Sequence, residues 1–178
     1  KPDVVIVATG AVPIIPPIPG INGNNVYLAS EVEEKGTDQL GDEIVILGGG
    51  LVGCETAIHL GKLGKKVTVV EMRSEAAADC NCFHKIAIGM ELEKYVTVLT
   101  DTKAENITDK GLEGLDKDGN KIFVSADAVI CAAGMRSDTT VADMVQKMEI
   151  EMYVIGDAVR PNKVTQAIFD GYYIAKYL

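Results

Sequence analysis

The chain has 178 residues, 47% of them hydrophobic, enough to bury the core of one domain or of a small pair. Its 17 basic residues against 26 acidic ones leave a net charge of −9, which disfavours a nucleic-acid backbone as partner and creates no broad field for anions, so any anion site has to be local. No apolar run reaches membrane-spanning length and no charged-then-apolar leader is visible, which gives the expectation of a soluble, cytoplasmic protein.

Lys1-Pro2 leads at once into Asp3-Val4-Val5-Ile6-Val7-Ala8, a buried-strand pattern that ends at Gly10, and this opening reads as a piece of something longer. Between Val12 and Gly20 four prolines (Pro13, Pro16, Pro17 and Pro19) predict a stiff extended connector outside sheet and helix, and with it a domain boundary. Residues 22–25 form a turn and Val26-Tyr27-Leu28 a short strand. Ser30 with Glu33 has the spacing of a capping box for a brief helix that ends at Gly36.

The stretch from Glu43 to Glu71 carries the chemistry. Glu43-Ile44-Val45-Ile46-Leu47 is a short apolar, mostly β-branched run that suits a parallel strand buried on both faces. It enters Gly48-Gly49-Gly50-Leu51-Val52-Gly53, a G-x-G-x-x-G. In such a loop Gly48 permits the tight turn, Gly50 lets a pyrophosphate approach the backbone, and Gly53 lets the next helix pack on the strand. Helical spacing follows through Val52, Thr56, His59 or Leu60, and Leu63, with Lys62 and Gly64 suited to the C-terminal end. The open amides at that helix's N-terminus, with its dipole behind them, make an anion site. Lys66 to Val70 is a second strand running into Glu71, the position at which a dinucleotide fold places the acid that accepts hydrogen bonds from the adenosine ribose. A carboxylate there predicts NADH over NADPH, with Arg73 as the residue able to reach a 2′-phosphate. A glycine loop alone is weak evidence; strand, loop, capped helix, strand and acid in sequence point to nucleotide binding.

Ser74 to Lys94 has weak helical periodicity with Ile86, Met90 and Leu92 as apolar markers, and Tyr95 to Leu99 is a third strand. Glu105 to Asp116 and Lys121 to Ser125 read as antiparallel strands, with Asp118-Gly119-Asn120 as a turn, so the crossover is a β-meander, which separates this unit from a plain dehydrogenase. Asp127 to Gly134 (DAVICAAG) echoes Asp3 to Gly10 (DVVIVATG), which suggests two related nucleotide-binding halves. A short helix over Asp143 to Glu149, a buried strand over Glu151 to Ile155, the turn Gly156-Asp157-Ala158 and a helix from Val164 to Leu178 complete the chain. An acid at a strand end before a helix, as at Asp157, is placed to hold a sugar or ribitol hydroxyl, or simply to make a turn.

Of the four cysteines, Cys54 and Cys131 fall in apolar elements as small buried hydrophobes. Cys80-Asn81-Cys82 is too close for an ordinary disulfide and lacks the partners of a zinc site, so it reads as two reduced thiols in a loop.

With GGGLVGCE, the two Ala-x-Gly strand ends and Val154-Ile155-Gly156-Asp157-Ala158 in this order, the chain resembles the C-terminal part of the multidomain NADH:flavin oxidoreductases, the group of 2,4-dienoyl-CoA reductase and trimethylamine dehydrogenase within the pyridine nucleotide-disulfide oxidoreductases. The resemblance implies an α/β fold: a Rossmann-like parallel sheet with helices and a β-meander crossover, plus fragments of a second, FAD-binding domain. It implies an NAD(P)-binding domain over 21–134, flanked by FAD-domain fragments over 1–20 and 135–178. The candidate cofactor residues are Gly48, Gly49, Gly50, Leu51, Val52, Gly53, Glu71, Met72 and Arg73, with Gly10, Gly134, Gly156 and Asp157 at the other strand ends; Asp157 matches the acid that contacts the flavin ribitol. NAD(H) is the expected ligand of this chain and FAD that of its parent. FMN and an iron–sulfur cluster would belong to upstream domains that this sequence does not contain. The function implied is to present a nicotinamide for hydride transfer to a flavin. A nucleotide-binding regulatory or assembly module without redox chemistry has the same local fingerprint.

Overall fold

The computed structural model describes residues 2–178. In chain order the elements are β1 (Val4–Val7), β2 (Ala11–Pro13), β3 (Val26–Leu28), α1 (Ala29–Lys35), β4 (Glu43–Leu47), α2 (Leu51–Lys62), β5 (Lys66–Val70), α3 (Cys82–Tyr95) and β6 (Val96–Leu99). They continue with β7 (Lys103–Thr108), β8 (Gly111–Leu115), β9 (Lys121–Ser125), β10 (Ala128–Cys131), β11 (Met135–Ser137), α4 (Thr140–Gln146), β12 (Glu151–Val154), a short 3-10 turn (Gly156–Ala158) and α5 (Val164–Tyr177). The chain divides into two compact units: Ile15–Gly134, and the residues up to Ile14 together with Met135–Leu178.

In the larger unit a five-stranded parallel sheet has the order β3-β10-β4-β5-β6. The alternation of strand side chains divides β4 between two cores. Ile44 and Ile46 face Ala57 and Leu60 of α2 with Val67, Val69, Ala128 and Ile130, while Val45 and Leu47 join Ile107, Leu112 and Val129 on the opposite face. The second face is covered by the antiparallel meander β7-β8-β9, so this is an α/β fold with helices on one side and the meander on the other. A third cluster of Cys54, Ile58, Ala77, Ile88 and Leu92 fixes α3 against α2.

Several local expectations shift. Val52 of α2 and Leu63 just past it are exposed, while the expected Thr56 and Leu60 are buried together with Gly53 and Ala57, because Gly53 is the residue that meets the sheet. Gly64 lies in the left-handed region (φ +85°) just past α2, where its N–H reaches Gly61 O, so it ends the helix as its residue type suggests. In α3 the buried residues are Ile88 and Leu92, whereas the markers Ile86 and Met90 face solvent; the helix starts at Cys82, capped by Asn81, whose side-chain oxygen accepts the His84 N–H. Tyr95 closes that helix and the strand begins at Val96. Residues 105–116 are two strands joined at Asp109-Lys110, with a register shift between Ala104 and Asn106. Helix α1 begins one residue before Ser30, and its first-turn partner is Glu31, which accepts the Leu28 N–H at 2.8 Å; the side chain of Glu33 lies outside what is described.

In the smaller unit β1 pairs with β12 in parallel and β2 with β11 in antiparallel. Pro13 is thus part of a sheet, where the proline run was expected to exclude one. It sits at the last position of a two-stranded ribbon, where a missing N–H is tolerated. The fourth helix covers Thr140–Gln146, earlier than Asp143 to Glu149, and Glu149 has a left-handed φ of 53° that no helix interior accepts.

Candidate functional site

The glycine loop follows β4, the central strand of the sheet, where β4 meets β10 and the strand order switches direction, the place where open α/β sheets leave a crevice beyond their C-terminal ends. Three of its glycines are required by the protein itself. Gly48 has φ +107°, and a Cβ on it would fall 2.5 Å from Ala132 O; one on Gly53 would fall 2.0 Å from Gly48 O; one on Gly49 would fall 2.9 Å from the Glu71 Cβ. Gly50 differs. Its φ of −69° is ordinary and the nearest heavy atom to a Cβ there is an oxygen of Asp79 at 3.7 Å, so the bare backbone opens outward. That open approach is the feature that fits a dinucleotide's phosphates, and the amides of α2 lie directly behind it.

Glu71 is buried, with 4% of its surface exposed. Its Oε2 accepts the Gly49 N–H at 2.6 Å, and its Oε1 accepts the Arg73 N–H at 2.7 Å and Nε–H at 3.3 Å. The carboxylate therefore ties the glycine loop to the end of β5. A carboxylate has about four acceptor positions, so three occupied ones leave room for one more donor. Met72 and Arg73 are largely exposed beside it. Their backbone is fixed by Asp101 N–H to Arg73 O and by Thr102 N–H to Glu71 O, both at 2.9 Å.

These residues line a cleft of about 880 Å³ within the larger unit, in the range of small-molecule sites. Gly48, Gly50, Glu71, Met72, Arg73 and Gly134 (φ +103°) line it, together with a wall of Pro16, Pro17 and Ile18 and with Lys103, Ala104 and Glu105. From the sequence the prolines read as a connector and Glu105 as the start of a strand, not as parts of a site, and Lys103, Ala104 and Asp79 were not singled out. The wall is held by Ile107 N–H to Pro19 O at 2.8 Å and by Gly20, which lies so close to Ile107 that a Cβ would clash with its carbonyl. Such pairing between distant segments leaves no local signal. Leu51 donates its N–H to Asp79, Val52 points to solvent, and Cys54 is buried with its thiol on Gly49 O, where burial pushes it up to about 11 and out of reactive range. A second cavity of about 550 Å³ beside the meander has no such convergence: Asp116, its best-placed acid, is committed to the N–H groups of Asp118 and Asn120.

In the smaller unit Gly10 and Gly156 have left-handed φ of 78° and 61°, and Asp138 N–H donates to Gly10 O. Asp157 accepts the Asn162 N–H at 3.1 Å and so closes its own turn. Asp170 of α5, not flagged from the sequence, accepts the Gly156 N–H at 3.0 Å.

Comparison with known proteins places the fold. The family model "Pyridine nucleotide-disulphide oxidoreductase" matches residues 1–171. A bilirubin reductase of Mediterraneibacter gnavus is 35% identical over all of this chain, and an NADH oxidase of Thermoanaerobacter brockii 32% identical over 98% of it; in each case the match covers 28% of the relative. The structure of a 2-naphthoyl-CoA reductase superposes with a TM-score of 0.89 at 34% identity, over 96% of this chain and 26% of that one. The chain thus spans less than a third of the length of these relatives, and it belongs to the pyridine nucleotide-disulphide oxidoreductase family.

Proposed function

We propose that this chain is the NAD(P)H-binding part of a flavin-dependent oxidoreductase, with the nucleotide in the cleft of the larger unit. The observation that carries this reading is Gly50. It is the one glycine of the loop that the protein's own packing leaves free, and it faces a cleft that also holds Glu71 at the end of the next strand. Gly50 and the first amides of α2 receive the phosphates, Glu71 accepts a ribose hydroxyl on its remaining acceptor position, and the wall of Pro16 to Ile18 keeps water from one side. When bound, a reduced nicotinamide supplies a hydride, which in this reading goes to a flavin. We assign the larger unit to the nucleotide domain, with its boundary at Ile15 where the sequence suggested residue 21, and the residues up to Ile14 with 135–178 to the flavin domain of the parent. Gly10, Gly156 and Asp157 stand on the flavin side, and FMN and an iron–sulfur cluster belong to further domains. The names of the relatives, an NADH oxidase and a bilirubin reductase among them, support a redox role over a purely regulatory one.

The test is a fluorescence titration of NADH into the protein and into Gly50→Val. The wild type binds, and the variant keeps its circular dichroism and melting temperature while losing NADH. A folded wild type that does not bind NADH, or a variant that binds it equally well, overturns the reading.

A further inference from the structure

Asp79 stands where the proposed ligand needs its phosphates. Its Oδ1 accepts the N–H of Leu51, the first residue of α2, at 3.0 Å. The same oxygen lies 3.7 Å from the position a Gly50 Cβ would take, with Oδ2 at 4.0 Å, so the space opened by that glycine is bordered by this carboxylate. It is delivered there by a built turn. Residues 71–81 form no helix or strand, yet they cross the glycine loop with Ala77 in a left-handed conformation (φ 52°), its N–H on Gly49 O at 2.7 Å and its carbonyl accepting the Cys80 N–H at 3.0 Å. Lys85 pairs with Glu75 and ties the same segment to α3. Ala77 is itself buried in the cluster between α2 and α3, which fixes the turn while leaving Asp79 exposed.

Two amides of the loop are thus each held by a carboxylate, and the two differ in kind. Glu71 is buried and braced by Arg73, so it cannot leave Gly49 without unmaking the loop. Asp79 is exposed, so a ligand anion that takes its place leaves no buried charge behind. We propose that Asp79 is a displaceable anionic occupant of the pyrophosphate site: it satisfies the helix terminus in the free protein, competes with the phosphates for it, and thereby limits dinucleotide affinity. This rests on the reading that the glycine loop takes a dinucleotide, and it identifies a residue that tunes that site.

The test compares wild type, Asp79→Asn and Asp79→Ala by titration with NADH, ADP and adenosine. Removing the charge should tighten NADH and ADP about tenfold, ~1.4 kcal/mol, and leave adenosine, which has no phosphate, within about twofold. The alanine variant guards against an asparagine that keeps the Leu51 hydrogen bond. If the wild type binds NADH and neither variant binds it more tightly, or if adenosine gains as much as ADP, the role of Asp79 is overturned while the dinucleotide reading stands. If none of the three folded proteins binds NADH or ADP, the dinucleotide reading falls and the inference with it.

Discussion

Three N–H groups converge on the Glu71 carboxylate, and their arrangement decides what its removal does. Glu71→Ala would strand the Gly49 N–H in a buried place, at a cost of about 1–3 kcal/mol, and would loosen Arg73 as well, so lost stability and lost binding would come together. Nucleotide preference is therefore the cleaner reading of this residue. The one acceptor position left on Glu71 suits a ribose hydroxyl, whereas a 2′-phosphate has no proton to give and carries like charge. With charged hydrogen bonds worth ~1.5–3 kcal/mol, NADH should bind at least about tenfold more tightly than NADPH, measured by titrating both. Tighter NADPH binding would mean that Arg73 has left Glu71 for the phosphate. The glycines make a second pair of outcomes. Gly53→Ala drives a Cβ to within 2.0 Å of Gly48 O and should destabilise the fold by about 1–3 kcal/mol in urea, while Gly50→Val, with open space before it, should change binding alone.

At the scale of elements, the β4-α2-β5 unit was legible because its signals are local: a β-branched run, glycines at fixed spacing, a helix stop, a second run and an acid. The segment after it was not. The weak helical periodicity read from Ser74 onward yields no helix before Cys82; residues 71–81 take their structure from contacts with the glycine loop, so Asp79 carried no mark in the sequence. Helix α3 misled in part: the marker Leu92 is buried, but Ile86 and Met90 are as apolar as Ile88 and face solvent, and only the position of α2 decides which are buried. The strand ends of the parallel sheet are held by a similar long-range contact. Asp127 Oδ2 accepts the N–H groups of Asp42 and Glu43 at 2.8 and 2.9 Å, and those bonds hold its carboxyl below the usual range. A carboxyl depressed in the folded state adds stability above its unfolded pKa of about 3.9 and loses it as pH falls through the lower folded value. Asp127→Ala should therefore melt below the wild type at pH 7, with the gap closing under about pH 4. A gap unchanged down to pH 2 would show that the side chain acts by packing alone.

Across the whole molecule stability should be uneven, and the reason lies in what each element buries. In the larger unit Val45, Ile46, Val69, Val129 and Ile130 are fully enclosed on strands that exchange hydrogen bonds on both sides. Helix α5 of the smaller unit has no buried residue along its 14 positions, and Ile168, Phe169, Tyr172 and Tyr173 are each more than half exposed. The sequence showed the helical spacing there, but spacing cannot say whether the apolar stripe meets a partner. A helix of this length is marginal in water on propensity alone, since isolated helices need roughly 12–15 residues even when rich in alanine. The stacked Phe169 and Tyr173 rings, 6.2 Å between centroids, add little to that, and Gly171 in mid-helix subtracts from it. Amides of β4, β5 and β10 should thus exchange with solvent only through global unfolding, whereas those of α5 should exchange through local opening, orders of magnitude faster. Hydrogen exchange followed by mass spectrometry of peptides covering 43–70, 126–134 and 163–178 measures the difference. Equal protection in the last peptide would mean that α5 is held by contacts on its apolar face, as when that face is covered by association between copies of the chain, and the gap should then widen again on dilution.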